Sequence, residues 1–332
     1  HNDSTRKYLY STIQKDNAKI DLAYAELYKD NYIGLSKDVM PDDGHIKSKD
    51  YFISYSNTYL RDDSLKTVFS IDINERDYFE ENKEGEINSQ GILLPPVINQ
   101  TLSFPIHYDE KLRFEKYDTY ISKSFTQKSN EVILASSVKH KKYVLNDGTT
   151  ISNQTLEDKK FSEFDTETLY SFMIEDKYKI NDYLHLIGDA KFDRYQRNAD
   201  LNNSTEHLYK LGLIFMPTDD LGFKLFASQS YMSPTFYYVD MASPSVDNLE
   251  SQKINYYSLE NAYTYNSNRF DLVFTNIQVD DMIYLDRNGF RNSNSEVEGN
   301  SVMFKYTYDI DLKNQFMFNV YNLNSDQVES NS

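Results

Sequence analysis

The stretch Leu184-His185-Leu186-Ile187-Gly188-Asp189-Ala190-Lys191-Phe192-Asp193 decides the fold. Leu184, Leu186, Gly188, Ala190 and Phe192 alternate with His185, Asp189, Lys191 and Asp193. Successive side chains of a strand point to opposite faces, so a period of two gives one apolar and one polar surface. The same period recurs outward from this stretch. Tyr51, Ile53, Tyr55 and Tyr59 alternate with Ser54, Ser56 and Thr58, and Thr67, Phe69, Ile71 and Ile73 with Lys66, Ser70 and Asp72. Toward the C-terminus, Phe270, Leu272 and Phe274 face away from Asp271 and Thr275, as Val302, Phe304, Tyr306 and Tyr308 do from Lys305 and Thr307. Aromatic, β-branched and Thr residues suit a pleated, half-buried surface, and the pattern predicts an all-β protein.

The strands are expected near 6–14, 18–28, 50–60, 65–79, 112–126, 131–143, 166–178, 183–196, 205–216, 222–231, 252–265, 268–284, 296–308 and 315–323. Short polar turns fall at 61–64, 128–130, 181–182, 217–220, 266–268 and 311–314, and long connections at 80–111, 144–165, 197–204, 232–250 and 285–295. Short and long links therefore alternate from residue 50 onward. A meander of this kind has two unlike ends, the plan of a transmembrane β-barrel with brief periplasmic turns and extended extracellular loops. A β-sandwich mixes link lengths at both ends. Tyr51, Tyr59, Tyr78, Tyr170, Tyr183, Tyr209, Tyr284 and Tyr308 lie near strand ends, where an amphipathic ring suits an interfacial girdle.

Composition removes other classes. The chain has 332 residues with 35 Lys+Arg against 52 Asp+Glu, a formal charge of −17, and no Cys or Trp beside 29 Tyr and 20 Phe. Without cysteine there is no disulfide framework, no thiolate metal site and no thiol nucleophile. The acidic balance speaks against a nucleic-acid partner, which needs a basic footprint. No apolar run reaches the length of a transmembrane helix. Phosphate loops, G-x-S-x-G elbows and H-E-x-x-H pairs are all missing, and the six histidines show no ligand spacing. Asp42-Asp43-Gly44-His45 and Asn146-Asp147-Gly148 lack the alternating ligands of a calcium loop and read as turns. No enzyme, metal site or cofactor is therefore expected.

Two places carry binding candidates. Tyr231-Met232-Ser233-Pro234-Thr235-Phe236-Tyr237-Tyr238 leaves a strand at a long-loop end, so Tyr231, Phe236, Tyr237 and Tyr238 could stack on a ligand. His107 lies in the connection that also holds Pro95-Pro96 and Pro105. Each has a plainer reading, ring packing for the tyrosines and a solvated loop histidine for His107.

A family resemblance adds to this. Asp247-Asn248 followed by Leu249-Glu250-Ser251-Gln252-Lys253-Ile254-Asn255-Tyr256-Tyr257-Ser258-Leu259-Glu260 resembles the "NLKPE…YELG" stretch of TonB-dependent outer-membrane receptors. Asn248, Leu249, Lys253, Tyr257 and Leu259 match, whereas Ser251 and Gln252 replace the Pro and Glu of that pattern. Phe270 to Asn276 with Asp280-Asp281-Met282-Ile283 is similar to the family's next strand. Phe290-Arg291-Asn292-Ser293-Asn294 and Gly299 then stand in the places of its "Y.N….G.E", with Ser301 where Glu is usual, as Ser258 and Glu260 replace the Glu and Gly of the first stretch.

The resemblance implies an outer-membrane barrel for energised uptake of a scarce small-molecule ligand, such as a siderophore-type metal chelate or a vitamin. Its partners would be outer-membrane lipid or lipopolysaccharide, and a periplasmic TonB-type coupling protein reached through a plug. Plugged transporters have about 22 strands, so residues 1–332 are expected to be a partial barrel domain of about 14, without its plug and last strands. A passive porin-like channel, a barrel-embedded outer-membrane enzyme and a soluble secreted β-sandwich or carbohydrate-binding protein are the alternatives.

Overall fold

The computed structural model describes residues 4–30, 43–60, 64–87, 93–94, 104–151, 154–156, 165–198, 203–235, 238–239, 242, 249–286, 289–311 and 314–329. The first strands are β1 (Ser4–Lys15), β2 (Ala18–Asp30), β3 (Asp43–Tyr59), β4 (Leu65–Ile87), β5 (Leu93–Leu94) and β6 (Phe104–Gln127). They are followed by β7 (Asn130–Ile151), β8 (Gln154–Leu156), β9 (Thr166–Lys179), β10 (Leu184–Arg197), β11 (Thr205–Thr218) and β12 (Leu221–Met232). The last are β13 (Gln252–Tyr265), β14 (Asn268–Asp280), β15 (Ile283–Asp286), β16 (Gly289–Asn292), β17 (Ser295–Asp309) and β18 (Gln315–Glu329).

Sixteen strands join one sheet in the order β1-β2-β3-β4-β6-β7-β9-β10-β11-β12-β13-β14-β17-β18, with β5 added to β4 and β8 to β7. Each strand of that path pairs with the next in sequence among the long strands, which is up-and-down connectivity. The path is an open barrel wall: β1 and β18 stand at its two ends. The β15–β16 pair forms a separate hairpin. By compactness the chain divides into two units, one of His1–Ile121, Val138–Leu169 and Arg197–Asp200, the other of Ser122–Ser137, Tyr170–Gln196 and Leu201–Ser332.

The alternation of links holds along the whole path. Short links at residues 16–17, 60–64, 128–129, 180–183, 219–220, 266–267 and 310–314 alternate with the longer connections after β2, β4, β7, β10, β12 and β14. Asp16 (φ 52°), Lys128 (φ 52°) and Asn266 (φ 51°) occupy the left-handed region that lets the chain reverse in two residues. Asp and Asn tolerate that region better than other non-glycine residues. The turns are also stitched sideways. The carbonyls of Asn17, Ser129, Asp220 and Ser267 accept hydrogen bonds from the backbone N–H of Thr58, Lys179, Thr264 and Asp309. Each tight turn is thus held by a strand beyond its own hairpin, leaving fewer unpaired backbone groups at that rim.

Register makes the apolar face explicit within each unit. In the first, Ile13–Ile20–Tyr55–Phe69, Ser11–Leu22–Ile53–Ile71 and Leu9–Tyr24–Tyr51–Ile73 form successive cross-strand rows over β1 to β4. The next row on that face is Lys7–Glu26–Lys49–Glu75, charged at every position and alternating in sign. In the second unit, Leu186–Leu213–Leu225–Leu259–Phe274–Val302 runs across six strands. Nearer the tight turns the same face carries Phe215, Phe223, Tyr263, Phe270, Tyr306 and Phe316, drawn from adjacent rows, with neighbouring rings 5.1–6.4 Å apart where they touch. The opposite face is mixed and more polar: Ile187, Gly212, Phe226, Ser258, Thr275 and Ser301 share one row and Asp189, Lys210, Ser228, Tyr256 and Ile277 another.

The apolar face is not a conventional core. Among the described residues only Ala135, Tyr143, Leu169 and Tyr195 are buried hydrophobics, while Leu225 (53% exposed), Leu259 (44%) and Phe274 (43%) lie open. A soluble sandwich would press these rows against a second layer. Uncovered, they match the outward apolar band of a membrane barrel. Strands of 12–24 residues exceed the roughly 9–11 needed to span a bilayer, so their long-loop ends extend past the band into polar rows.

Several boundaries differ from expectation. β4 continues to Ile87 and β6 begins at Phe104, so much of the 80–111 connection is strand; β7 likewise runs to Ile151 and β8 follows. The sequence of these strand ends lacks the period of two, while the strands themselves continue. The expected 268–284 strand stops at Asp280, where Asp281 turns to φ 54° and the β15–β16 hairpin starts. The motifs at residues 43–45 and 146–148, expected as turns, are strand in β3 and β7; Asp42 lies outside the described residues. Of the proposed girdle, Tyr51, Tyr59, Tyr170, Tyr183, Tyr209 and Tyr308 are exposed, the first two sharing their unit's apolar face. Tyr78 opposes Ile46 on the other face and Tyr284 belongs to the hairpin.

Candidate functional site

Toward the long-loop end of β9, β10 and β12, a polar network forms on the non-apolar face of the second unit. It follows from the strand period: Lys191, Asp193 and Tyr195 occupy alternate positions of β10, so one face receives all three. Asp193 is 1% exposed. Its Oδ1 accepts from Ser171 Oγ of β9, and its Oδ2 accepts from Lys191 Nζ at 2.8 Å and from Tyr231 Oη at 2.5 Å. Tyr195 Oη lies 2.8 Å from Tyr231 Oη, and the two rings meet edge to face with centroids 6.1 Å apart. Burying a carboxylate this deeply is tolerated because an ammonium and two hydroxyls meet it. Since Tyr231 donates to Asp193, Tyr195 is left to donate to Tyr231.

A second polar cluster belongs to the first unit. Glu167 of β9 is buried and takes Lys141 Nζ at 2.8 Å and Arg197 Nε at 2.9 Å. Asn198 caps the entry to β9: its Oδ1 accepts from the N–H groups of Asp165 and Thr166, and its Nδ2 donates to Asp165 Oδ1 at 2.7 Å. His140 Nδ1 and Thr168 Oγ1 are 2.9 Å apart on the other face of these strands.

The third feature joins the start of β13 to the β15–β16 hairpin, both in the second unit. Asn292 Oδ1 accepts from Glu250 N–H at 2.8 Å, while its Nδ2 donates to the carbonyls of Glu250 at 3.0 Å and Asp281 at 2.7 Å. Gln252 Oε1 accepts from Ile283 N–H at 2.8 Å. Phe290 packs against Tyr238 with the ring planes tilted and centroids 4.7 Å apart, and it bridges to Ala242 through its backbone.

Tyr231 and Tyr238, both sequence candidates, are placed apart in function. Tyr231 joins the Asp193 network and Tyr238 packs on Phe290. Phe236 and Tyr237 lie outside the described residues. His107 falls within β6 rather than a loop, and its side chain is outside the described residues. Sequence reading missed Asp193, Ser171 and Tyr195. The available signal was the run of polar residues at 191, 193 and 195, but their partners are set by register across strands. No group of His, Asp and Glu among the described residues has the arrangement of a metal site.

Comparison with known proteins settles the family. A family model for the TonB dependent receptor-like β-barrel matches residues 1–330. The chain belongs to this family. Among solved structures it is similar to the FrpB iron transporter from Neisseria meningitidis, with a TM-score of 0.68 and 11% identity over 98% of this chain and 51% of that one. It is also similar to the copper transporter OprC (TM-score 0.66, 11% identity, 95% of this chain and 52% of that one). The ferric yersiniabactin uptake receptor FyuA from Yersinia pestis matches with a TM-score of 0.66 and 10% identity, over 98% of this chain and 52% of that one. At such identities the likeness concerns the fold. The chain spans about half the length of these structures. None of the curated proteins matches the sequence. Members of the family are receptors of the bacterial outer membrane.

Proposed function

We propose that this chain is barrel wall of an outer-membrane receptor that takes up a scarce metal chelate of the siderophore type by energised transport. The observation that carries the reading is the family match over residues 1–330 on a sheet with one apolar and one polar face. It is supported by similar structures titled as an iron transporter, a copper transporter and a ferric yersiniabactin receptor. In this reading residues 1–332 are part of the barrel domain. A plug and further strands then lie elsewhere in a longer protein, the plug meeting a periplasmic TonB-type coupling protein while the apolar rows meet outer-membrane lipid. Tyr231 and Tyr238, with Phe236, Tyr237 and His107, are the ligand-contact candidates. The Tyr231 ring contributes its edge, its hydroxyl being engaged with Asp193. The function is transport and binding, not catalysis.

The test expresses the full-length gene in bacteria lacking their own chelate receptors and measures uptake of radiolabelled iron presented as a panel of ferric chelates. Uptake of one chelate, abolished when the coupling protein is deleted, is the expected result. Uptake that persists without the coupling protein would instead mark a passive channel. No uptake of any chelate by correctly inserted protein would overturn the metal-chelate assignment.

A further inference from the structure

Asn292 is the residue of the "Y.N" resemblance to which transport assigns no task, and its geometry gives it one. Its amide makes three hydrogen bonds to backbone, two to Glu250 and one to Asp281, so a single side chain holds both the segment entering β13 and the segment leaving β14. Gln252, which is buried, adds a parallel tie to Ile283 N–H, and Ser293 N–H donates to the carbonyl of Met282 at 2.8 Å. Phe290 contributes a third contact through Tyr238. A four-residue strand pair is too short to stand by itself in water. The β15–β16 hairpin must therefore borrow its order from what it is tied to.

We propose that Asn292 is a latch that makes the β15–β16 hairpin and the root of β13 a single cooperative unit at the long-loop end of the wall. Opening the hairpin then requires opening the backbone at Glu250 as well. Both segments lead into β13 and β14, which continue down the wall, so anything bound at the hairpin is mechanically connected to these two strands. An amide is the side chain this position needs, because it accepts one backbone N–H and donates to two carbonyls at once. Aspartate would keep the acceptor, lose both donors and set a negative charge against two carbonyl oxygens. This goes beyond the transport reading and does not depend on the ligand.

The test is hydrogen exchange on the full-length protein in detergent, comparing the native chain with Asn292→Ala, Asn292→Asp and Gln252→Ala. Amides protected by local structure exchange only when that structure opens. The expected result is that Asn292→Ala and Asn292→Asp each raise exchange at least tenfold at Glu250, Ile283 and Ser293 together, while Leu259 and Val273 in the ladder stay protected. Gln252→Ala should raise the same amides together. Faster exchange at Glu250 alone, with Ile283 and Ser293 unchanged, would overturn the proposal. Loss of protection at Leu259 and Val273 in both Asn292 variants would also overturn it, since the residue would then support the sheet at large.

Discussion

The Tyr231 hydroxyl on β12 donates to Asp193 Oδ2 on β10 at 2.5 Å, although β11 runs between the two strands. With Ser171 on β9, which neighbours β10 directly, the network spans β9, β10 and β12. Removing one donor leaves a buried carboxylate short of a partner. Tyr231→Phe should destabilise the barrel by about 1–3 kcal/mol, whereas Tyr195→Phe, which breaks only a neutral bond, should cost about 0.5–1.5 kcal/mol. Urea unfolding in phospholipid vesicles measures both. Equal effects would show that the carboxylate does not distinguish the two hydroxyls.

Gly212 clears space for an aromatic ring. A Cβ there would stand 2.6 Å from Phe226 Cε1 and 2.8 Å from Cδ1. The same ring carries Lys210 Nζ 5.5 Å from its centroid, so displacing it also disturbs a cation–π contact. Gly212→Val is expected to cost about 1–3 kcal/mol by overpacking. In the Gly212→Val/Phe226→Ala double variant the two losses should fall short of their sum by about 0.5–3 kcal/mol. Additive unfolding energies would mean that the ring relaxes at no cost.

Glu167 holds two cations, one of which, Arg197, is itself buried. Glu167→Ala would remove the carboxylate that meets both Lys141 and the buried Arg197 side chain, and the expected loss is about 3–5 kcal/mol. A combined Glu167→Leu/Arg197→Met variant, which removes the buried pair altogether, should recover much of that loss. The unfolding midpoints of the single and double variants decide; a double variant weaker than the single would contradict a desolvation penalty at this site.

How legible this was depends on the solvent each segment meets. Where β10 to β14 and β17 cross the apolar band, residues such as Leu259, Phe270 and Tyr306 alternate with polar neighbours, and the period of two marks those strands to within one or two residues, save the β14 end. The ends of β4 and β7 were underestimated because nothing beyond the band enforces a period of two on Glu- and Lys-rich sequence. β15 and β16, four residues each, are too short to show a period at all. Tyr231 stood out as an aromatic at a strand end, yet its partner did not: Asp193 lies 38 residues away, and only the register of β10 on β11 and β11 on β12 brings them together.

The central claim is that hydrocarbon wets the Leu225–Leu259–Phe274 row. Leu259→Arg should then cost about 2–4 kcal/mol at mid-band depth, by unfolding in vesicles. Thr275→Arg, one residue past Phe274 and on the opposite face, should stay within about 0.5 kcal/mol.

The most direct measurement uses the absence of cysteine from these 332 residues, so that an introduced cysteine is unique among them, any cysteine elsewhere in the full-length protein being replaced by serine. Full-length protein carrying Leu259→Cys or Glu260→Cys is spin-labelled and reconstituted in lipid vesicles. Relaxation of each label by lipid-soluble oxygen is then compared with that by a water-soluble nickel chelate. The label at 259 is expected to respond to oxygen and not to the chelate, with the adjacent label at 260 showing the reverse. A label at 259 that responds to the chelate as the one at 260 does, or that neither agent reaches, would contradict the membrane barrel outright.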